Sequence, residues 1–454
     1  MDRQVLLFLG ATIISTSCAD KDVETQDPDR SQLPNIVFYL ADDMGIGDIG
    51  CYGQEKIETP NIDRLAEEGL RFTHHYSGST VSAPSRCCLM TGKHTGHAYI
   101  RGNKGVDLPA EEITVAELLK TKGYATGAFG KWGLGLEGTT GSAVRQGFDE
   151  FYGYLNQGAA HRYYPEYLIH NEEKEILNQE YSHFKIMERG LQFIEKNAGQ
   201  PFFAFFTVTL PHADLDYPDI SYYDAKFQEE INTEASDGYK YQPKPKATYA
   251  SMVGEMDRNI GQIVELLKSK GILDNTIIIF TSDNGVHDKG GHDPDFFNSN
   301  SCFRGMKRDL YEGGVRAPFV VYWPSVIHGG RTTEHISTFW DFLPTVADIT
   351  GCTLPEGIDG ISYLPVLKGN EAGQRQHEYI YFEFYEKGNS QSILKDGWKL
   401  LRLQTSKPDK CHEELYYLPD DIREERNLIG DYPEKASELR RLAETAHTDS
   451  KEFN

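Results

Sequence analysis

An apolar run near the amino terminus ends in two carboxylates: Asn35-Ile36-Val37-Phe38-Tyr39-Leu40-Ala41-Asp42-Asp43. A strand that is buried on both faces has this nearly continuous apolar pattern, and such strands belong to parallel sheets covered by helices. In open sheets of this kind, ligand sites lie beyond the carboxyl ends of the strands. We therefore expect Asp42 and Asp43 to lie at the functional edge of an α/β sheet.

The same pattern of an apolar strand followed by polar residues recurs along the chain. Strands are predicted over 124–129, 201–210 and 276–281, followed respectively by Gly130-Lys131-Trp132-Gly133-Leu134-Gly135, by Pro211-His212 and by Ser282-Asp283-Asn284-Gly285. Amphipathic helices are predicted over 61–69, 115–122 and 248–270. Alternating strands and helices favour a doubly wound α/β fold, with a large, mostly parallel sheet flanked by helices.

The character of the sequence changes after residue 350. The segments that follow are a Gly- and Pro-rich linker over 351–375, short alternating strands over 379–385, 390–394 and 398–403, and a closing helix over 433–447. Alternating strands of this length are typical of an antiparallel sheet. We expect a large domain over 34–350 and a smaller C-terminal α+β domain with an antiparallel sheet over 376–454.

The amino-terminal segment indicates export. Residues 1–18 have the features of a signal peptide, because the apolar run that begins at Val5 is too short to cross a bilayer and ends in small residues. Cys18 resembles the lipidated cysteine of bacterial lipoproteins, although Ser15 stands where Leu is usual. The polar, acidic stretch 19–33 suits a disordered tether. We expect a protein in the periplasm or on the outer membrane surface of a Gram-negative bacterium, with plain secretion as the alternative.

Charge and cysteine content exclude several classes of partner. The chain has 46 Lys and Arg against 69 Asp and Glu, a net charge of −23 at pH 7, which repels nucleic acid and anionic membranes. Contact with a membrane is therefore expected only through a lipid anchor at Cys18. The seven cysteines are scattered without metal-binding spacing, so a structural zinc site is not expected, and disulfide pairing cannot be deduced.

A second stretch reads Ser82-Ala83-Pro84-Ser85-Arg86-Cys87-Cys88-Leu89-Met90-Thr91-Gly92-Lys93. It resembles the signature of the type I sulfatases, in which a Cys or Ser followed by x-Pro-Ser-Arg, and then by Leu-x-Thr-Gly-Arg/Lys, is oxidised after synthesis to formylglycine (3-oxoalanine). By this resemblance Ser82 is the modified residue, and the large domain has the sheet of the alkaline phosphatase and sulfatase superfamily. The plain alternative is a turn that leads, at Pro84, into a buried helix.

The resemblance implies a specific chemistry for Ser82. One hydroxyl of the hydrated aldehyde attacks the sulfur of a sulfate ester, and the other expels sulfate by collapsing to the carbonyl. An unmodified serine cannot perform the second step. Because the residue is Ser and not Cys, its maturation implies a partner during synthesis, a serine-type radical SAM maturase.

Four hard oxygen donors follow two of the predicted strands: Asp42, Asp43, Asp283 and Asn284. Carboxylate and amide oxygens without His or Cys suit Ca²⁺ or Mg²⁺ and not zinc. The resemblance implies one Ca²⁺ held by these four residues and by the formylglycine derived from Ser82.

The resemblance also assigns roles to cations and acids. Arg86 would steady the formylglycine, and Lys131 and Lys307 would contact the sulfate, where fixed positive charge favours the transition state. His212 would protonate the departing alcohol. Besides binding the metal, Asp283 would act as the base that takes a proton from the attacking hydroxyl.

One position departs from the family pattern. Many members read Gly-Lys-Trp-His-Leu-Gly, and that His helps the release of sulfate, whereas this chain has Gly133. Either another group takes the proton, or the step relies on Lys131 and water.

The general appearance is similar to carbohydrate sulfatases of glycan-degrading bacteria. That similarity implies a sulfated saccharide as substrate, with 6-O- or 4-O-sulfated galactose or N-acetylgalactosamine as the leading choice. The candidate sugar-binding residues are His97, Arg101, His161, Arg162, His287, His292 and Glu383.

Three other functions stay open at this stage. An arylsulfatase with broad substrates would use the same residues. A phosphatase or phosphodiesterase of the superfamily would share the sheet, but those enzymes use a bare Ser or Thr and usually two zinc ions. A non-catalytic lipoprotein that binds sulfated glycans is favoured only by Gly133.

Overall fold

The computed structural model describes residue 1, residues 33–233 and residues 238–453. The predicted signal peptide beyond Met1, the predicted lipidation site at Cys18 and the predicted tether up to residue 32 lie outside the described residues. Within the described ranges, no helix is both long and apolar enough to cross a membrane.

A large mixed sheet occupies the centre of the described chain, and its ten strands run in the order β11-β2-β10-β9-β1-β8-β4-β5-β6-β7. With the separate pair β3 and β12, the strands are β1 (Asn35–Ala41), β2 (Leu70–Phe72), β3 (His75–Tyr76), β4 (Ala125–Lys131), β5 (Glu150–Tyr154), β6 (Tyr167–His170), β7 (Glu173–Ile176), β8 (Phe202–Thr207), β9 (Thr276–Ser282), β10 (Phe319–Tyr322), β11 (Arg331–Thr333) and β12 (Ser337–Thr338). The five central strands, β9-β1-β8-β4-β5, are parallel. Antiparallel pairing is confined to the flanks.

Strand β1 lies in the middle of this sheet and is buried along its whole length. Its alternate residues pack into different cores: Ile36, Phe38 and Leu40 on one face, and Val37 and Tyr39 on the other. Burying each such side chain stabilises the fold by about 1.5–3 kcal/mol. The two-sided burial predicted from the apolar run is therefore confirmed.

Helices cover both faces of the sheet. They are α1 (Pro60–Glu68), α2 (Ser82–Thr91), α3 (Val115–Lys120), α4 (Ser182–Asn197), α5 (Ser221–Phe227), α6 (Pro245–Ser269), α7 (Pro294–Phe297), α8 (Glu312–Val315), α9 (Phe342–Thr350), α10 (Leu364–Leu367) and α11 (Pro433–Thr445). The apolar stripe predicted on α6 is buried in one of the two cores, with Met252, Met256 and Ile260 among its members.

The C-terminal region forms the predicted antiparallel sheet, with a fourth strand that the sequence pattern did not predict. Its strands are β13 (Ile380–Phe384), β14 (Ser390–Lys395), β15 (Trp398–Leu403) and β16 (His412–Tyr417). Helix α11 packs against this sheet through Leu439 and Ala443. Phe382 and Leu401 belong to the same apolar cluster as Ile36 of β1, so the small sheet is packed on the large domain.

The order of the strands determines where the polar residues meet. Strands β4, β8, β1 and β9 are consecutive neighbours and run parallel, so the residues that follow them gather at one edge. Helix α2 begins at Ser82 and not at Pro84. Pro84 is tolerated there because the first amide groups of a helix have no intrahelical partner.

Candidate active site

Ser82 is the first residue of α2, and only 2% of its surface is exposed. Its Oγ donates a hydrogen bond to Asp42 Oδ1 at 3.1 Å and accepts one from Lys131 Nζ at 3.3 Å. The Asn103 side-chain oxygen accepts a hydrogen bond from the Ala83 amide at 3.1 Å, which satisfies one of the free N–H groups of the helix start. The hydroxyl of Ser82 is thus held between the ends of β1 and β4.

Four buried oxygen-bearing side chains lie beside Ser82: Asp42, Asp43, Asp283 and Asn284. Asp43 has a left-handed backbone, with φ of 62°, and its amide donates to Asp283 Oδ1 at 3.1 Å. Asn284 Nδ2 donates to Asp43 Oδ1 at 2.7 Å, whereas its Oδ1 is buried and has no hydrogen-bond partner within the described chain. An orphaned amide oxygen beside carboxylates fits a hard cation such as Ca²⁺.

Each of the three carboxylates is paired with a buried cation. The distances are 2.6 Å from Lys131 Nζ to Asp42 Oδ2, 2.6 Å from Lys307 Nζ to Asp43 Oδ2, and 2.9 Å from Arg86 Nη2 to Asp283 Oδ2. A buried charge without a partner costs several kcal/mol, so this pairing is what allows the cluster to be buried.

Arg86 also holds the carboxyl end of β4, where Lys131 lies. Its Nη1 donates to the Lys131 carbonyl at 2.8 Å and to the hydroxyl of Thr207, which itself donates to the same carbonyl at 2.8 Å. The guanidinium therefore joins α2 to the ends of β4 and β8, and it fixes the backbone from which Lys131 reaches Ser82.

The cations separate the acidities of the carboxyl groups. Burial alone would raise the pKa of Asp42, but Lys131, His212 and Arg86 hold it well below its ordinary value. Burial would likewise raise the pKa of Asp43, and Lys307 with His212 lowers it instead. At Asp283, burial and the nearby charge of Asp42 raise the pKa to about 6 against the influence of Arg86. Asp283 is the most basic of the three carboxylates.

Three histidines line the same side of the cluster. His212 Nε2 lies 3.2 Å from Asp43 Oδ2, and its Nδ1 contacts the Ala213 carbonyl, which places a hydrogen on Nδ1. The His161 ring stacks on the His212 ring at 4.4 Å. His287 Nε2 accepts a hydrogen bond from the Ala213 amide at 3.3 Å. Burial holds the pKa of His212 well below its ordinary value despite the attraction of Asp43.

The predicted sugar-binding residues do not all lie here. His161 and His287 adjoin His212, as just described. Arg101 and Glu383 are both buried, and 3.5 Å separates Arg101 Nη1 from Glu383 Oε2. This pair joins the loop after α2 to the small sheet. The same Nη1 donates a hydrogen bond to the Thr448 carbonyl at 2.7 Å.

The other three predicted sugar-binding residues lie elsewhere. His97 Nδ1 lies 2.8 Å from Asp359 Oδ1. The His292 ring stacks on Tyr249 at 3.6 Å, and Tyr249 belongs to one of the two apolar cores. Arg162 is exposed on the surface of the loop between β5 and β6.

Sequence reasoning missed two residues beside the site. Asn103 caps the start of α2, although it lies 21 residues after Ser82 in the chain. Arg308 follows Lys307 directly, and its Nε lies 2.9 Å from Oε2 of Glu386, in the loop between β13 and β14. Arg308 could have been predicted, because it is a basic residue directly next to a lysine that is expected to bind sulfate.

In the loop after β4, Gly133 has no side chain, and the side chain of Gln157 occupies that space. Gly133 has a positive φ of 77°, and a Cβ built on it would lie 2.3 Å from Gln157 Nε2. The space that a side chain at 133 would use is therefore filled by the Gln157 amide.

The chain is similar to proteins that are named as sulfatases. It is 30% identical over 517 aligned residues to the N-acetylgalactosamine-6-O-sulfatase of Bacteroides thetaiotaomicron, a match that covers 98% of this chain and 99% of that protein. Human N-acetylgalactosamine-6-sulfatase is 32% identical over 377 residues, covering 74% of this chain and 66% of the human one. Human steryl-sulfatase is 29% identical, covering 77% and 72%.

Solved structures superpose closely on this chain. Ps i-CgsB in complex with k-i-k-neocarrahexaose gives a TM-score of 0.76 at 27% identity, covering 91% of this chain and 93% of that one. A protein in complex with its substrate D-glucosamine-2-N,6-O-disulfate gives 0.73 at 25% identity, covering 91% and 97%. The phosphonate monoester hydrolase of Agrobacterium radiobacter, at 19% identity and a TM-score of 0.67, shares the fold alone.

Two family models match the chain. The model described as Sulfatase matches residues 34–352, which include Ser82 and the acidic cluster, and the model described as N-sulphoglucosamine sulphohydrolase, C-terminal, matches residues 304–449. The first of these matches extends over well more than half of the chain. The chain therefore belongs to the sulfatase family, and it is an enzyme that hydrolyses sulfuric esters.

Proposed function

We propose that this sulfatase removes sulfate from a sulfated glycan, with galactose or N-acetylgalactosamine carrying a 6-O- or 4-O-sulfate as the substrate. The observation that carries the proposal is the position of Ser82 Oγ, held between a buried carboxylate and a buried lysine at the start of a helix. Relatives named N-acetylgalactosamine-6-sulfatase support the choice of sugar, and a neighbour solved with a sulfated glucosamine supports a saccharide substrate.

Conversion of Ser82 to formylglycine and binding of one Ca²⁺ belong to this proposal. Asp42, Asp43, Asp283 and Asn284 would hold the ion, and the orphaned Asn284 Oδ1 supports that assignment. When present, the ion would polarise the sulfate, and the hydrated aldehyde would supply the attacking oxygen.

The side chains of the chain itself then have separable tasks. Lys131 and Lys307 supply positive charge next to Ser82 and Asp43, where charge builds up on the sulfate oxygens. Arg86 keeps Lys131 in place through its backbone. His212 would pass a proton from Nε2 to the departing sugar oxygen, and an anionic substrate beside it favours the protonated imidazole.

The proposal also includes the maturation and the export of the chain. Ser82 requires a serine-type radical SAM maturase during synthesis. Export through a signal peptide, and attachment at Cys18 to the periplasmic face or outer membrane surface of a Gram-negative bacterium, would place the enzyme where glycans are scavenged.

Sulfate release from a panel of sulfated monosaccharides tests this function. The full chain is produced with the maturase, and free sulfate is measured for galactose and N-acetylgalactosamine carrying 6-O- or 4-O-sulfate. We expect release from one of these sugars and none by the Ser82→Ala variant. Release by Ser82→Ala at the wild-type rate would contradict the assignment of the nucleophile.

An arylsulfatase with broad substrates is the second candidate, because relatives also include steryl-sulfatase and an arylsulfatase of Hemicentrotus pulcherrimus, 33% identical over 383 residues. Adding 4-nitrophenyl sulfate to the same panel separates the two functions. A kcat/KM for the aryl ester above that for every sugar would favour this candidate.

A further inference from the structure

Gln157, in the loop between β5 and β6, carries a buried polar group that has no assigned role. Its Nε2 is buried and has no hydrogen-bond partner among the described residues, although the side chain as a whole is only half-buried. A buried donor without a partner costs about 1–3 kcal/mol, so such a group calls for an explanation.

The surroundings of Gln157 connect it to the active site on one side. Its amide covers Gly133, where any side chain would collide with it. The Gly133 amide donates to the Leu155 carbonyl at 3.3 Å, and the Trp132 amide donates to the Tyr154 carbonyl at 2.9 Å. These bonds tie the start of the loop to the segment that carries Lys131, whose Nζ lies 3.3 Å from Ser82 Oγ.

The same loop reaches the opposite side of the site four residues later. His161 stacks on His212 at 4.4 Å, and its carbonyl accepts a hydrogen bond from the Asp214 amide at 3.0 Å. The loop is folded compactly between these points, because Asn156 Oδ1 accepts from the Ala159 amide at 3.1 Å. Gln157 therefore belongs to a loop that is tied at its start to the lysine side of the cluster and, at His161, to the histidine side.

We propose that the Gln157 side-chain amide is a sulfate-binding group, which donates a hydrogen bond to a sulfate oxygen of the substrate from the position left open by Gly133. This inference rests on the proposed function. A carboxamide is a neutral donor that neither gains nor loses a proton near neutral pH. It would donate a directed hydrogen bond to the sulfate, in addition to the positive charge of Lys131 and Lys307. Because the amide is neutral, it would not add another buried cation to the site.

Binding of inorganic sulfate to the full chain in its Ser82 form, with Ca²⁺ present, tests the inference without turnover. By calorimetry we expect Gln157→Ala to weaken sulfate binding about tenfold, as loss of one hydrogen bond to an anion implies. We expect Gln157→Glu, which keeps the shape but adds negative charge, to weaken it at least as much. Gln200→Ala is the matched control, because Gln200 donates to Asn197 Oδ1 at 2.8 Å at the end of α4, away from this cluster.

The outcomes separate this inference from the function on which it rests. Unchanged sulfate affinity in both Gln157 variants would overturn the inference, since Gln157 would then only fill space above Gly133. If Gln157→Ala does not fold, Gln157→Glu decides alone. Absence of sulfate binding in the wild-type chain, together with no release of sulfate by the matured enzyme, would overturn the proposed function itself.

Discussion

At the scale of single residues, the active site is a set of buried ions that neutralise one another. Lys307 illustrates the arrangement: only 8% of its side chain is exposed, and its Nζ lies 2.6 Å from Asp43 Oδ2. The attraction of Asp43 and Asp42 raises the pKa of this lysine even though burial lowers it. The residue is therefore a fixed positive charge at the edge of the acidic cluster.

We predict that Lys307→Met reduces kcat/KM for the sulfate ester by at least 100-fold, because removal of one preorganised donor commonly costs that much. Affinity for Ca²⁺, measured by calorimetry, should not fall, since Asp43 loses a competing cation. Lys289→Met, at a partly exposed lysine that lies 3.5 Å from Asp288, is the control. A loss of Ca²⁺ binding in Lys307→Met would show that this lysine supports the cluster and not the sulfate.

The sequence predicted the members of the acidic cluster because of their place at strand ends. Asp42 and Asp283 follow neighbouring parallel strands, so their convergence follows from the topology. Asn103 and Gln157 could not be predicted in this way. Both residues lie in loops, and loop packing leaves no periodic signal in a single sequence.

At the scale of secondary-structure elements, a buried ionic network fixes α8, the short helix that follows Lys307. Glu312 begins this helix, and its Oε1 lies 2.8 Å from Lys399 Nζ on β15, while its Oε2 lies 2.5 Å from Arg316 Nε. Burial would raise the pKa of Glu312, but Lys399 and Arg316 lower it from 4.5 to about 2. The network thus joins the loop that holds Lys307 to the small sheet.

We predict that Lys399→Met destabilises the enzyme by about 3 kcal/mol, the cost of leaving a buried ion pair broken. Because the pKa of Glu312 is depressed in the folded state, its contribution is present above pH 4.5 and is lost as the pH falls toward 2. In the variant the folded-state pKa of Glu312 should rise toward its ordinary value, so this loss should be smaller and should be complete at a higher pH.

Thermal unfolding measured between pH 3 and 7 checks both statements. Lys435→Met is the matched control, since its partner Glu438 lies 2.7 Å away in a partly exposed pair. A variant at Lys399 that unfolds like this control at every pH would contradict the role of the network.

Some elements were predictable and others were not, for identifiable reasons. Strand β9 is buried along its whole length, and its apolar run alone predicts a strand. Strand β16 begins His412-Glu413-Glu414, and its polar half contacts charged partners such as Arg402 and Arg440, so no alternating pattern marks it. Pairing with a neighbouring strand, and not local propensity, determines such a segment.

At the scale of the whole molecule, the small sheet packs into one of the two cores of the large sheet. Phe382 and Phe384 of β13 lie in the same apolar cluster as Phe38 of β1. Arg101 and Glu383 form a buried pair across the same junction, at 3.5 Å. The small domain predicted from the sequence is therefore built into the large one.

We predict that a chain truncated after residue 375 does not fold, because it would expose the apolar face that β13 covers. Circular dichroism and the yield of soluble protein give the readout, with the full chain purified in parallel as the control. A soluble truncated chain with a cooperative thermal transition would show that the large domain is independent of the small sheet.

The central claim is that this sulfatase acts through an oxidised Ser82. The most direct measurement is the mass of the proteolytic peptide that contains Ser82, from enzyme made with and without a serine-type maturase, together with sulfate release by each sample. We predict a peptide two hydrogen atoms lighter only in the matured enzyme, and sulfate release that rises in proportion to the converted fraction. Full sulfate release by enzyme whose Ser82 is unmodified would contradict the account.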